Sequence, residues 1–384
     1  EMAGKKMIFS AEKYQPDVWQ HIAKIAASNR VGSAYLFSGP EGVGKEAAAL
    51  ALAAALNCRE NETACGACSS CIRFASLQHE HLHVVVPLPR KKDSIDKDTD
   101  VLTIIGKDNT ALLTDLLQKK GKDPFQKIKL LQAKRILINS VRDLRKKLYL
   151  KSVDYGYKTV LIFDAHCLSD GDGASANALL KILEEPPDKT TIILVTDHKA
   201  MLLSTIQSRC QHIDFPPLGN NTIREYLENT GVSATESEFY AHLADGNMHR
   251  ARFLSGRPIA DILKLMKDQV ETVVNSNGNS WRSYINNMSR MVRSDLEEFK
   301  FQLFLLQTWF LQSYRLRQNI SAPIVENGFA EGLQLFTTSY PHADLTAVNA
   351  VIERTIGSVH RNFYMPLTVT NMLVEIQQCL KRKA

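Results

Sequence analysis

The chain has 384 residues, 44% hydrophobic and 23% charged, and 47 Lys plus Arg against 41 Asp plus Glu give a net charge of +6. That balance belongs to a soluble globular protein of two or three domains, and falls short of a nucleic-acid-coating protein without deciding DNA contact. No apolar run reaches the roughly 18–20 residues of a membrane span and the first residues lack a signal-peptide pattern, so a cytoplasmic protein with no membrane partner is expected.

Over residues 17–30, Val18, Trp19, Ile22, Ile25 and Ala26 recur at helical spacing and predict a helix packed under the first strand. The apolar run Ala34-Tyr35-Leu36-Phe37, the stretch Ser38-Gly39-Pro40-Glu41-Gly42-Val43-Gly44-Lys45-Glu46 and the run 47–56 then read as strand, phosphate loop and helix. Gly39, Gly42 and Gly44 let backbone N–H groups curl around a phosphate, and Lys45 adds a cation that reaches its outer oxygens. A hydrolysing loop places Ser or Thr after the lysine to hold Mg²⁺, where this chain has Glu46. Like charges about 4 Å apart repel by roughly 4 kcal/mol at an effective dielectric near 20. Glu46 therefore predicts weak or absent Mg–nucleotide binding, unless the helix start shifts enough for its carboxylate to ligate Mg²⁺ directly.

Four of the seven cysteines follow as Cys58, Cys65, Cys68 and Cys71. Cys-x₂-Cys is the knuckle spacing of structural zinc, and four thiolates close a tetrahedral shell with no open position for substrate. Cys167, Cys210 and Cys379 stand alone and read as packing residues. Residues 90–126 turn polar, with Arg90-Lys91-Lys92-Asp93 and Lys119-Lys120-Gly121-Lys122-Asp123, and predict an inserted loop carrying a short helix over 110–118 and a solvated surface. Ile136, Leu137, Val141, Leu144 and Leu148 predict an amphipathic helix over 134–150. The apolar run Thr159-Val160-Leu161-Ile162-Phe163 ends in Asp164, a carboxylate suited to orienting Mg²⁺ beside a phosphate loop. Ala165 stands where a water-activating glutamate often follows.

Residues 175–187, Ser-Ala-Asn-Ala-Leu-Leu-Lys-Ile-Leu-Glu-Glu-Pro-Pro, predict a helix stopped by two prolines. A strand over 191–196 and the tripeptide Ser208-Arg209-Cys210 follow. Taken with the phosphate loop and the cysteines, this set resembles the clamp-loader branch of the AAA+ proteins, in motif order over about residues 10–260. The resemblance implies an α/β P-loop (AAA+, RecA-like) domain with a zinc-binding insertion, a small helical lid and an all-α C-terminal collar. It makes Lys45 the phosphate-loop lysine, Asp164 the Mg²⁺ carboxylate, Thr196 a polar sensor and Arg209 an arginine finger that acts in trans on a neighbour's ATP site. Gly246-Asn247-Met248-His249-Arg250-Ala251-Arg252 resembles the lid motif but has His249 where an arginine is common, leaving open a shifted register that would use Arg250 or Arg252.

The expected division is 1–216 (with a zinc module at 58–71), a lid at 217–258 after Phe215-Pro216-Pro217, and a collar at 259–384. The collar rests on apolar-periodic segments at 259–274, 281–292, 296–316, 328–339 and 345–380, the last broken by Pro366. Trp309, Phe310 and Tyr314 are expected in its core. Glu46, Ala165 and His249 together favour a non-hydrolysing, stator-like subunit of the DNA polymerase III clamp loader, with zinc but doubtful ATP binding. Its partners would be the other subunits of a heteropentamer, the sliding clamp indirectly, and primed DNA within the complex. The alternative is an ATP-hydrolysing subunit of the tau/gamma type. A zinc-containing nucleic-acid-binding protein outside replication would need a basic stripe interleaved with aromatics, which the sequence lacks.

Overall fold

The computed structural model describes residues 11–28, 30–61, 63–90, 99–150, 156–171, 173–275, 277–320, 327–359 and 363–381. Most of the charged runs at 90–93 and 381–383 falls outside these ranges. The chain divides into two compact units, 1–222 with 246–249, and 223–245 with 250–384.

The first unit opens with α1 (Ala11–Tyr14) and α2 (Pro16–Ala27), whose Trp19 and Ile22 are buried. β1 (Ala34–Ser38), α3 (Lys45–Ala55), α4 (Ser69–Ala75), β2 (Leu82–Val85), α5 (Val101–Lys122) and α6 (Ile138–Tyr149) follow. β3 (Lys158–Ile162), α7 (Ala174–Glu184), β4 (Thr190–Thr196), α8 (Ser204–Gln207) and β5 (Gln211–Asp214) complete it. The five strands form one parallel sheet in the order β2-β3-β4-β1-β5. Parallel strands are covered on both faces and so read as continuous apolar runs, and β1, β4 and most of β3 are buried at every position. On one face Leu36, Val160, Ile162, Ile192 and Leu194 pack with Val141, Leu144 and Leu148 of α6 and Leu179, Ile182 and Leu183 of α7. α3 packs against β1, β3 and β4, and as a helix apolar all round it is buried all round.

The polar insertion departs from expectation. Where 110–118 predicted a short helix in a solvated loop, α5 spans 22 residues, with a kink at Gly106 (φ 78°, ψ 167°). Its last turn is held against α4: a Cβ on Gly121 would lie 2.3 Å from the Ala75 carbonyl oxygen. That approach needs glycine, and it turns the neighbouring Lys120 inward to complete burial.

The second unit is helical: α9 (Asn220–Asn229, its first residues in the first unit), α10 (Ala234–Ala244), α11 (Met248–Ser255), α12 (Ile259–Val274), α13 (Gly278–Ser294), α14 (Leu296–Arg317), α15 (Asn327–Ser339), α16 (Leu345–Ser358) and α17 (Met365–Leu380). α14 is its centre, packed on α12, α13, α15 and α16. Phe299, Leu303, Leu306 and Phe310 form a fully buried row at i, i+4, i+7 and i+11, each contributing about 1.5–3 kcal/mol by burial. Trp309 is also buried, against Phe329, but Tyr314 is 36% exposed, a turn beyond the row and outside the core. Pro366 falls in the first turn of α17, where its missing N–H costs no helical bond, so the run expected over 345–380 is two helices. Among the described residues no helix is long and apolar enough to cross a membrane.

Candidate functional site

The C-terminal ends of β1, β3 and β4 meet at the phosphate loop, the edge where open α/β sheets take ligands. Gly39 has φ +146° and Gly42 φ +73°, a backbone that a side chain would strain; a Cβ on Gly39 would lie 2.3 Å from the Phe215 carbonyl oxygen. Gln15 supports the loop from behind, donating from Nε2 to the Val43 oxygen at 3.0 Å and the Pro216 oxygen at 2.8 Å. The Met248 amide donates to the Gly42 oxygen at 3.0 Å, which holds His249 at the wall of the pocket. The next residue, Arg250, stacks on Phe304, 3.8 Å from its ring centroid, and burial lowers its pKa to about 10. It serves packing within the second unit.

Lys45 does not project into open space. Its Nζ lies 2.6 Å from Asp197 Oδ1, donates to the Gly39 oxygen at 2.8 Å, and also donates to the Pro40 oxygen. An ammonium has three donors, and all three are committed inside the chain. Glu46 is likewise paired, with the ammonium of Lys120 from α5, which also donates to the Pro124 oxygen at 2.5 Å and lies 5.6 Å from the Phe163 ring centroid. Burial raises the Glu46 carboxyl above its ordinary value, with Lys120 opposing and the Asp164 charge reinforcing the rise. Taking away either partner of such a pair would leave a poorly solvated charge, at a cost of about 3–5 kcal/mol. Lys127 pairs with Glu41 at the rim. The enclosed space left between these groups is about 20 Å³, room for a single water.

Asp164 lines this pocket two residues beyond β3, in a left-handed conformation (φ 49°). Thr196 is buried beside it, its hydroxyl 3.1 Å from His166 Nδ1 and accepting from the His198 amide at 3.0 Å. Gly42, Gly44, Lys45, Glu46, Asp164, Thr196 and His249 thus line one pocket. Asp197, Lys120 and the Lys127–Glu41 pair were missed. Only Asp197, one residue past the end of an apolar strand and facing a phosphate-loop lysine, left a usable sequence signal.

Asp197 gives a direct test. Burial would raise its carboxyl, but Lys45 and then Lys127 outweigh burial and hold it below its ordinary value. A depressed folded-state pKa contributes stability that is present above the unfolded value of about 3.9 and is lost as pH falls through the folded value. Asp197→Asn is therefore expected to lower the unfolding midpoint at pH 7 and to flatten its acid dependence below about pH 4. A variant whose acid limb superimposes on the parent's would show that the pair carries no such stability.

Arg209, just past α8, lies away from the pocket. Its side chain is 38% exposed and donates to Glu184 Oε1 at 2.8 Å and the Thr205 oxygen at 2.9 Å. It is a surface arginine parked on α7.

Cys58, Cys65, Cys68 and Cys71 bring their sulfurs within 4.8 Å of one another. Metal–sulfur bonds of about 2.3 Å set the edge of a tetrahedron near 3.8 Å, and Cys65 Sγ lies 3.8 Å from Cys71 Sγ. The amides of Cys68 (3.3 Å) and Ala67 (3.5 Å) donate to Cys65 Sγ, and that of Cys71 to Cys68 Sγ (3.4 Å). Against the burial that raises it, N–H donation from Cys71 and Arg59 brings the Cys68 thiol down to about 6. The donor set and spacing fit a tetrahedral metal ion. Cys167 is buried and Cys210 and Cys379 half-buried, with burial pushing Cys167 up to about 12 and Cys210 to about 11, values of unreactive thiols.

The family described as DNA polymerase III, delta subunit, matches residues 14–219, more than half of the sequence. The chain belongs to this family. The DNA polymerase III subunit gamma/tau of Mycobacterium tuberculosis is 32% identical over 219 residues, 55% of this chain and 30% of that one. The delta' subunit of Bacillus subtilis is 31% identical over 235 residues (60% and 56%), and the tau subunit of the same organism 29% over 274 (67% and 40%). Each of these matches spans less than two thirds of the relative's own length.

Proposed function

We propose that this chain is a subunit of the DNA polymerase III clamp loader that does not hydrolyse ATP, a stator-like member of the delta-prime kind. It supplies Arg209 in trans to a neighbouring subunit's ATP site as the complex places the sliding clamp on primed DNA. The observation that carries the reading is the internal pairing of the loop's charges: Lys45 spends its three donors on Asp197 and its own loop, and Glu46 stands paired with Lys120 where a Mg²⁺-binding hydroxyl would be needed. Ala165 stands where a water-activating glutamate would follow Asp164. Gly39, Gly42, Gly44, Asp164 and Thr196 are then the frame of a nucleotide site that has lost its ligand.

In this reading 1–216 is the AAA+ domain, 217–258 the lid, and 259–384 the collar through which the chain joins a heteropentamer. The four cysteines hold a structural zinc, and clamp and DNA are met within the assembled loader in the cytoplasm. The second reading, an ATP-hydrolysing tau/gamma-type subunit, draws support from gamma/tau relatives at 32% identity. The two part on Mg-ATP turnover by the isolated chain. The first expects turnover at background, with hydrolysis appearing only when tau-type and delta-type partners are added. Steady turnover by the chain alone would transfer the assignment to the second.

A further inference from the structure

The pocket holds more than an obstructive glutamate. Glu46 takes the position at which the loop would hold Mg²⁺, and Asp164 is the second carboxylate of that position, on the wall of the same cavity. Between α5 and this wall an ammonium is already in place: Lys120 is 0% exposed, pairs with Glu46, donates to the Pro124 oxygen at 2.5 Å, and lies against the ring of Phe163, the residue before Asp164. Mg²⁺ requires near-octahedral oxygen ligation at about 2.0–2.1 Å and keeps several waters. A metal position already taken by a carboxylate that is tied to a buried ammonium does not provide it. The residues present do not fit Mg–nucleotide.

We infer that Lys120, buried behind the wall of the phosphate pocket, is a built-in cation that pins Glu46 in the place where the loop would hold a divalent metal, so that Lys120 and Glu46 together, and not Glu46 alone, exclude Mg–nucleotide. The two form a lock of complementary halves. Were Glu46 replaced by a hydroxyl, Lys120 would be left as an unpaired cation buried behind the metal position and would oppose Mg²⁺ there. Were Lys120 replaced, Glu46 and Asp164 would face the γ-phosphate as two uncompensated anions. Opening the site takes both changes. The position of Lys120 depends in turn on Gly121, whose close approach to Ala75 at the end of α4 seats the last turn of α5 behind the pocket wall. This deepens the non-hydrolysing reading, since it says what fills the site that nucleotide would use.

The test is binding of a fluorescent ATP analogue, with Mg²⁺ and with EDTA, to the full chain and to Glu46→Thr, Lys120→Met and the double variant. Zinc content and circular dichroism verify folding. The expected result is no Mg²⁺-dependent binding in the parent or either single variant, and affinity at least tenfold higher, abolished by EDTA, in the double variant. Removing both partners of a buried pair is milder than removing one, so the double variant is expected to fold at least as well as the singles. Equal Mg²⁺-dependent affinity in Glu46→Thr and the double variant would overturn the inference, as would a folded double variant that binds nothing; neither result touches the non-hydrolysing reading. Binding with turnover in the parent would sink both. A measurement on the unaltered chain stands independently: amine-reactive labelling should modify Lys120 at least tenfold more slowly than its neighbour Lys119, which is 59% exposed. Equal labelling rates would remove Lys120 from its buried place against Glu46 whatever the variants do.

Discussion

Arg209→Ala is expected to cut ATP turnover of the reconstituted loader by at least tenfold while leaving assembly and zinc content at parent levels. The magnitude follows from two competing terms. In the free subunit the guanidinium is held by Glu184 in a pair whose side chains are 38% and 50% exposed, and such surface pairs are worth about 0–1 kcal/mol. A guanidinium delivered to a transferring phosphoryl group is worth roughly 10³–10⁵ in rate, on the order of 4–7 kcal/mol. Leaving Glu184 therefore costs little against what a neighbour's transition state returns. Arg209→Lys should not rescue the rate, because a single ammonium cannot present the planar fork of donors. Glu184→Ala should stay within a few-fold of the parent. An assembled Arg209→Ala complex with parental turnover would end the finger assignment and leave Arg209 as the surface arginine that its own sequence context suggests.

What was legible in the sequence was local. The order of β1, phosphate loop and α3, the Cys-x₂-Cys knuckles, and the apolar strand running into Asp164 are each written within ten or fifteen residues, and each lies where its pattern implied. What escaped was set by contacts between distant segments. Lys119-Lys120-Gly121-Lys122 reads as a solvated run, and nothing near it says that Lys120 will meet Glu46, 74 residues earlier, once Gly121 lets α5 close on Ala75. β2 and β5 escaped for another reason: they are four-residue edge strands, Leu82–Val85 and Gln211–Asp214, with two histidines between them and no long apolar run. The lid motif left its register open, and the contacts made there, Met248 on Gly42 and Arg250 on Phe304, are again tertiary. The role given to Arg209 came from resemblance alone, since an arginine after a short helix carries no signal of its own.

Metal removal is expected to have the larger effect on stability. Purified protein should carry about one zinc per chain, and Cys71→Ser should lose it and lower the unfolding midpoint by on the order of 10 °C, because binding energy at a structural zinc site is folding energy. Cys71 and Phe74 are fully buried on α4, and α4 packs against both α3 and α5, so releasing the sulfurs loosens a segment that both helices rest on. The disturbance should travel by a defined route. α4 bears the Ala75 carbonyl against which Gly121 is seated, Gly121 sets Lys120, and Lys120 pairs with Glu46. Hydrogen exchange after chelation should therefore quicken in α4 and the last turn of α5 before it quickens in β1, β3 or β4, whose pairing does not involve the module. Zinc well below one per chain without any stripping step, or a Cys71→Ser protein with the parental midpoint, would refute the structural role. Exchange that quickened in α4 alone would sever the cysteines from the pocket and leave Lys120 held by α5 without their help.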